Sequence, residues 1–288
     1  MRTLRRILIV QPYGIGDLLF ITPVLRALRL IPTVEVVDLL LGSRTAEVVQ
    51  ANPHINEIFV IDKDRYHRQS WKENWRDQFA LGQRLRRKHY DLMLDYSLRG
   101  ENAFWGEFFL GIPDRAGFDY KNRGFFHNIK LEIPEGFLGR HVVDFCCDLA
   151  EKAGVLVEDR FLEYYFDPQE KNIAQKKLQG TLAKIPQKYA VISPGGGESW
   201  GKDASRKRWP VHSFAELVEK MAELLGFQGI VIVGSTGEKE LAEELRSRVS
   251  VPAVNLAGEL SLAESALVIQ KAALFIGNDG SLVHLDKK

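Results

Sequence analysis

The chain has 288 residues, 45% of them hydrophobic, which is enough to bury a sizeable core in one or two domains. Thirty-nine basic residues against thirty-eight acidic ones leave a net charge of +1, so no global field recruits nucleic acid and any anion site must be local. The two cysteines, adjacent at Cys146 and Cys147, fit neither a disulfide framework nor a zinc site; they read as helix-core residues in a reducing compartment.

The first apolar run, "RILIV", reads as a strand, too short for a signal-peptide core, and no later run approaches membrane length. The expectation is a cytoplasmic protein. The run leads into "QPYGIGDLLFITP", Gln11 to Pro23. Gly14 and Gly16 begin the G-x-G-x-x-G of a dinucleotide-binding turn, but Leu19 stands at the third glycine position, and Asp38 alone is poor evidence for a ribose partner. The pattern of a nicotinamide dehydrogenase therefore fails. Pro23 does not suit the interior of a helix begun at Gly16, so Thr22 reads as an N-cap and Pro23 as the first helical residue of "VLRALRLI". Asp17 then lies in a tight turn past the strand's carboxyl end, where ligands bind in open α/β sheets. Its residue type equally suits capping a helical turn.

Further strands are expected at "VEVVDLLL", "EIFVID" and "DLMLD". Asp62–Lys63–Asp64 has the D-x-D form that can bridge a divalent metal to a diphosphate, or is simply a polar strand end. Arg65, His67 and Arg68 follow that strand, and Arg99 follows "DLMLDYSL". Between them, "WKENWRDQFALGQRLRRKH" places Trp71, Trp75 and Phe79 on one helical face and ends in Arg84, Arg86, Arg87 and Lys88. The plain expectation is a core-packing helix with a solvated basic end. The alternative is attraction to anionic lipids or to an acidic acceptor at a membrane.

A polar, helix-prone segment, "FDPQEKNIAQKKLQGTLAKIPQ", marks a boundary near Phe166 and Asp167, so domains are expected at 1–166 and 167–288. The second half repeats the alternation of strand and helix: "YAVIS", "GIVIVG", "AVNLAG" and "ALFIGND", separated by segments such as "FAELVEKMAELLG" and "EKELAEELRSRV". Two Rossmann-like halves follow. Capping boxes are expected at Ser213 with Glu216 and at Ser261 with Glu264. "YAVISPGGG" carries a strand into Gly195, Gly196 and Gly197, followed by Lys202, Arg206, Lys207 and Arg208; glycine amides and clustered cations suit a diphosphate. A second strand-to-helix turn, Asp279, Gly280, Ser281, Leu282, Val283 and His284, offers backbone N–H groups to a phosphate. Each loop alone could also be an ordinary connection.

Taken together, "ILIVQPYGIGDLLFITPVLRALR", "ANPHINEIFVID", "ISPGGG" with "KRWP", and "SLAESALVIQKAALFIGNDGSLVHL" resemble glycosyltransferase family 9, the heptosyltransferases of lipopolysaccharide core assembly, over nearly the whole chain. The resemblance implies an α/β GT-B fold, two Rossmann-like parallel-sheet domains facing across a cleft, with acceptor bound mainly by the first and nucleotide sugar by the second. It implies an inverting, metal-independent transfer of a heptose or related sugar, with ADP-heptose as donor, a glycolipid acceptor and no cofactor beyond the nucleotide sugar. Asp17 matches the general base, with Gly14, Gly16 and Arg99 on the acceptor side. Ser193, Gly195, Gly196, Lys207, Glu238, Asp279, Gly280, Ser281, Leu282 and His284 fall on the donor side. Family members continue beyond "GSLVHL" with further elements, so the resemblance also implies a second domain incomplete at its C-terminus; the alternative reading is a truncated or inactive family member that only binds nucleotide. The implied location is the cytoplasmic face of the inner membrane.

Overall fold

The computed structural model describes residues 3–62, 69–183, 185–196, 206 and 208–285. The chain divides into two compact units, Met1–Tyr165 and Phe166–Lys288.

Unit 1 is built on β1 (Arg6–Gln11), β2 (Val36–Gly42), β3 (Glu57–Ile61), β4 (Leu92–Asp95), β5 (Asp114–Asp119) and β6 (Ile129–Glu132). They form one sheet in the order β3-β2-β1-β4-β5-β6, parallel throughout. A parallel sheet carries helices on its faces, so its central strands need apolar side chains on both sides. Ile7, Leu8, Ile9 and Val10 are accordingly all buried, as are Leu92, Met93 and Leu94. Among the described residues of this unit the α-helices are α1 (Ile15–Leu19), α2 (Thr22–Arg29), α3 (Ala46–Val49), α4 (Trp71–Arg86), α5 (Glu101–Trp105) and α6 (Val142–Lys152).

Strands β5 and β6 lie outside the expected set, because "DRAGFD" carries a charge and a glycine where an apolar run signals a strand. What admits Arg115 to the interior is full pairing: its guanidinium donates to the carbonyls of Ile112 (2.6 Å), Pro113 (3.1 Å) and Phe126 (3.1 Å) and to Glu107 (3.0 Å).

Unit 2 opens with α7 (Pro168–Leu182) and continues through β7 (Ala190–Ser193), α8 (Val211–Leu225), β8 (Ile230–Ile232), α9 (Lys239–Arg248), β9 (Ala253–Asn255), α10 (Leu262–Lys271) and β10 (Leu274–Gly277). Its four strands are parallel, in the order β10-β7-β8-β9. Their core packs Ile192, Ile230 and Ile232 against Phe214, Val218 and Leu245 of the covering helices.

Three local expectations change. Thr22 is the first residue of α2 and Ile21 its N-cap; the Thr22 hydroxyl donates to the carbonyl of Leu19 at 2.7 Å and accepts the Glu163 N–H at 3.0 Å. A fully buried threonine is thus satisfied by one local carbonyl and one long-range N–H in place of its own helix. Helix α8 begins at Val211 after Pro210, which puts Ser213 inside the first turn and leaves it no cap to make. The box at α10 forms as expected, with Ser261 N–H on Glu264 at 2.8 Å and Glu264 N–H on Ser261 Oγ at 3.2 Å. Finally, Trp71, Trp75 and Phe79 of α4 are exposed, at 69%, 64% and 52%. The plain core-packing expectation for that face is overturned: the helix packs through Leu85, with Leu81 beside it, one step round from the aromatic stripe.

Cys146 and Cys147 lie buried in α6. Burial pushes the Cys147 thiol up to about 11 and the Cys146 thiol well above its ordinary range, so both stay protonated near neutral pH. A thiol-titrating disulfide reagent at pH 8 should therefore find no reactive thiol in the folded chain and two after unfolding in guanidinium. Rapid modification of either under native conditions would show that α6 is not packed as described.

Candidate active site

In unit 1 the strand order reverses between β1 and β4, and loops leaving the carboxyl ends of those two strands flank the reversal, where open α/β sheets bind ligands. The loop after β1 passes through Gly14 into α1, with Asp17 at the third helical position. One carboxylate oxygen of Asp17 accepts the Gly14 N–H at 3.0 Å, and the Gln11 side-chain amide donates to the Asp17 carbonyl at 3.1 Å. Asp17 thus caps a helical turn, and the same bond fixes the direction of its partly buried carboxylate.

The loop after β4 is held by groups to which no role was assigned from sequence. Asp95, fully buried, accepts the Ser97 N–H at 2.9 Å and the Asn102 amide at 3.3 Å, and its second oxygen lies 3.3 Å from His127 Nε2. Gly117 makes room for that imidazole: a Cβ there would collide with the ring. Ser97 in turn holds the Arg99 backbone, donating to its carbonyl at 2.8 Å. Tyr13 joins the two loops, its hydroxyl accepting the Leu98 N–H at 2.9 Å. The Arg99 side chain stays 68% exposed, 3.7 Å from Glu101.

Unit 2 has the same design at β7 and β10. Ser193 ends β7, Gly195 and Gly196 follow it, and Gly196 sits at φ +82°, a conformation that favours glycine. Gly195 crosses directly over Glu238, whose Oε1 a Cβ at that position would strike. Glu238 is 2% exposed and accepts the Ser235 N–H at 2.7 Å; Arg208 lies 4.0 Å from its other oxygen and donates to the Gly195 carbonyl at 3.0 Å. Asp279 and Gly280 follow β10, and Ser281, Leu282 and His284 lie in a 3-10 turn spanning Ser281–Leu285. Gly280 lies against Gly196, and a Cβ on Gly280 would stand 2.9 Å from the Gly196 carbonyl. The two loops are therefore in contact. Asn278 fastens them: its amide donates to the Pro194 carbonyl at 2.6 Å and its carbonyl accepts the Trp209 N–H at 3.0 Å. Asn278 stands inside the "GNDGS" run, but its bracing role follows only from the neighbours it reaches.

The structure thus gathers Ser193, Gly195, Gly196, Glu238 and Gly280 in one place, and Gly14, Gly16 and Asp17 in another. Gly197, Lys202, Lys207, Arg65, His67 and Arg68 lie outside the described residues. So do Lys63 and Asp64; Asp62 accepts the Ser43 hydroxyl at 3.4 Å. Among the described residues no group of three or more His, Cys, Asp or Glu side chains is placed to hold a metal ion. Asp38 is buried against the Tyr90 hydroxyl (2.8 Å) and Lys88 (3.3 Å), a packed position that no ribose can reach.

The family model for "Glycosyltransferase family 9 (heptosyltransferase)" matches residues 78–286, more than half of the chain. The chain belongs to this family. Among family relatives, lipopolysaccharide heptosyltransferase 2 of Escherichia coli strain K12 is 22% identical over 97% of the chain and 79% of its own length. Lipopolysaccharide heptosyltransferase 3 of Escherichia coli is 26% identical over 94% of the chain and 76% of its own length. The solved family 9 structure from Veillonella parvula covers 99% of this chain and 78% of its own, with TM-score 0.78 at 18% identity. That of E. coli ADP-heptose lipopolysaccharide heptosyltransferase II covers 98% and 81%, with TM-score 0.72 at 21% identity. The fold of the chain is that of the family's GT-B enzymes.

If Asn278 braces the unit 2 loops, Asn278→Ala should cost about 1–3 kcal/mol, the worth of two hydrogen bonds at about 0.5–1.5 kcal/mol each, because the Pro194 carbonyl and the Trp209 N–H lose their partner together. Hydrogen exchange at the Trp209 amide should accelerate far more than exchange in β8. Unchanged protection at Trp209 would remove Asn278 from this role.

Proposed function

We propose that the chain is an inverting glycosyltransferase that moves a heptose, or a related sugar, from ADP-heptose to a lipopolysaccharide core or related glycolipid. The donor and acceptor are those named for the E. coli relatives. In this reading the domain expected at 1–166 binds acceptor, and that expected at 167–288 binds nucleotide sugar; no metal or further cofactor takes part. The reaction takes place at the cytoplasmic face of the inner membrane, and no described helix is long and apolar enough to cross a bilayer.

Asp17 is the general base. It takes the proton of an acceptor hydroxyl as the oxygen attacks the anomeric carbon, from the face opposite the nucleotide; the bond to the diphosphate breaks and its electron pair leaves with ADP. The observation that carries this reading is the place of Asp17 at the strand-order reversal of unit 1, with its carboxylate oriented by the Gly14 N–H. Gly14 and Gly16 let the acceptor approach the backbone, and Arg99 meets an anionic group on it. Charge growing on the diphosphate is met by Lys207 and by the amides of Gly280 to Leu282, with Asp279, Ser281 and His284 beside them. Gly195 and Gly196 bring backbone close to the phosphates from the Ser193 end of β7. Glu238 supports that loop from beneath, because its buried carboxylate is spent on Ser235 and on Arg208's neighbourhood and is covered by Gly195.

Asp17→Asn should lower turnover about 10²–10⁴-fold while calorimetry with ADP gives an unchanged affinity. An enzyme that kept most of its turnover after this substitution would need another base. ADP should also bind more tightly than UDP or GDP in the same titration, and turnover should survive EDTA. Activity lost to the chelator and restored by Mg²⁺ or Mn²⁺ would return the Asp62–Asp64 run to consideration.

A further inference from the structure

Unit 1 carries a cavity of 480 Å³ between α4 and α5, within the ~300–1,000 Å³ typical of small-molecule sites. It reaches from Trp75, Phe79 and Trp105 at its rim to Leu8, Leu40 and Met93 on the face of the sheet. Trp105 also borders a second pocket, of 550 Å³, lined by Arg99, Glu101 and Arg123; Glu101 lies 3.7 Å from Arg99, so Arg123 supplies the pocket's net positive charge. An apolar cavity and a cationic pocket thus share one tryptophan as their common wall. Around them Trp71, Trp75, Phe108 and Phe125 are exposed at 69%, 64%, 66% and 78%. Exposed Lys72, Arg76 and Arg86 stand on the same helix. The neighbouring acids are engaged locally: Glu101 with Arg99 at 3.7 Å, Glu73 with Ser70, Glu107 with Arg115, and Asp77 with Arg76 at 3.8 Å.

We propose that this pair of pockets binds an anionic phospholipid of the bilayer, its acyl chain in the apolar cavity and its headgroup phosphate at Arg123. The proposal rests on the reading that the enzyme works at a membrane, and adds the site and the lipid chemistry. The three features select one ligand. The cavity admits a flexible hydrocarbon chain and offers it no polar partner at the sheet. The cationic pocket lies where the polar end of such a chain would emerge. Tryptophan with lysine and arginine around it is the composition that settles at a bilayer interface, ring in the acyl boundary and charge among the headgroups. A second copy docked face to face would instead set the same cations against one another.

The test uses the full chain and vesicles of phosphatidylcholine, with or without phosphatidylglycerol, carrying bromine on their acyl chains. Phosphatidylglycerol vesicles should bind the protein and quench its fluorescence, and the quenched fraction should shrink in Trp75→Phe and Trp105→Phe. Arg123→Gln should weaken partitioning about fivefold, the effect of about 1 kcal/mol for one cation near an anionic surface. The double variant Trp75→Ser, Phe79→Ser should weaken it about tenfold or more, and both positions are exposed enough for folding to survive. Transfer to a water-soluble, delipidated acceptor should be unchanged in these variants. Equal binding to both kinds of vesicle, quenching that Trp75 and Trp105 do not contribute to, binding only when the acceptor glycolipid is in the vesicle, or a dimer in place of vesicle binding would each overturn the proposal. Loss of transfer by the unmodified chain, with lipid binding intact, would count against the proposed function alone.

Discussion

Parallel strands can follow one another only through crossovers, which return the chain to the same end of the sheet each time. Every loop at the carboxyl ends therefore opens on one edge. Where the order reverses, two neighbouring strands send their chains to opposite faces, and a gap opens between their loops. Both units obey this constraint, with β1 and β4 flanking the gap in one and β7 and β10 in the other. The residues that matter to the proposed chemistry follow from it. Asp17 and Arg99 leave adjacent strands in unit 1, and Gly195 and Gly280 do so in unit 2.

A gap is of use only if its walls hold their positions, and each unit does this with hydrogen-bonded polar side chains, fully buried at Asp95 in unit 1 and half-buried at Asn278 in unit 2. In unit 1 the Asp95 carboxylate serves His127, Ser97 and Asn102, and Tyr13 ties the result to the Asp17 loop. In unit 2 Asn278 serves the chain on both sides of the glycine loop. Such groups are stabilising only when satisfied, since a buried carboxylate or amide left without partners costs more than the bonds it forms contribute. They therefore specify one loop geometry and penalise others. Glycine completes the arrangement at two positions: Gly195 over Glu238 and Gly117 over His127 each admit a polar side chain where a methyl group would exclude it.

How much of this was legible in the sequence depends on how local the determining interaction is. Apolar runs such as "ILIV" and "IVIV" signal buried parallel strands by themselves, and the Ser261 and Glu264 pair signals a helix start because both partners lie within one turn. The alternation of strand and helix gave the fold class in the same way. β5 escaped because its buried arginine is admitted only when the backbone turns the Ile112 carbonyl and, across the β5–β6 connection, the Phe126 carbonyl onto its guanidinium. The same reason hid the part played by Asp95, His127 and Asn278, whose partners lie up to 84 residues away. Thr22 shows the converse: a residue with good local capping chemistry has its hydroxyl taken by the Leu19 carbonyl and by the distant Glu163 N–H, and the cap passes to Ile21.

Helix α4 makes a different point about periodicity. A spacing of four residues places Trp71, Trp75 and Phe79 on one face, and that inference is sound as geometry. It does not say what covers the face. Burial against the sheet is supplied by Leu81 and Leu85, a neighbouring stripe of the same helix, so the aromatic residues are surplus to the core. Gly82 contributes to this rotation: a Cβ there would come within 2.5 Å of Phe109, so the bare backbone lets that ring lie against the helix and sets which stripe turns inward. A helix with two apolar stripes can satisfy only one of them within its own unit. The second remains at the surface with hydrophobic area that water solvates poorly, and its rings gain most from a medium that is apolar at one end and wet at the other.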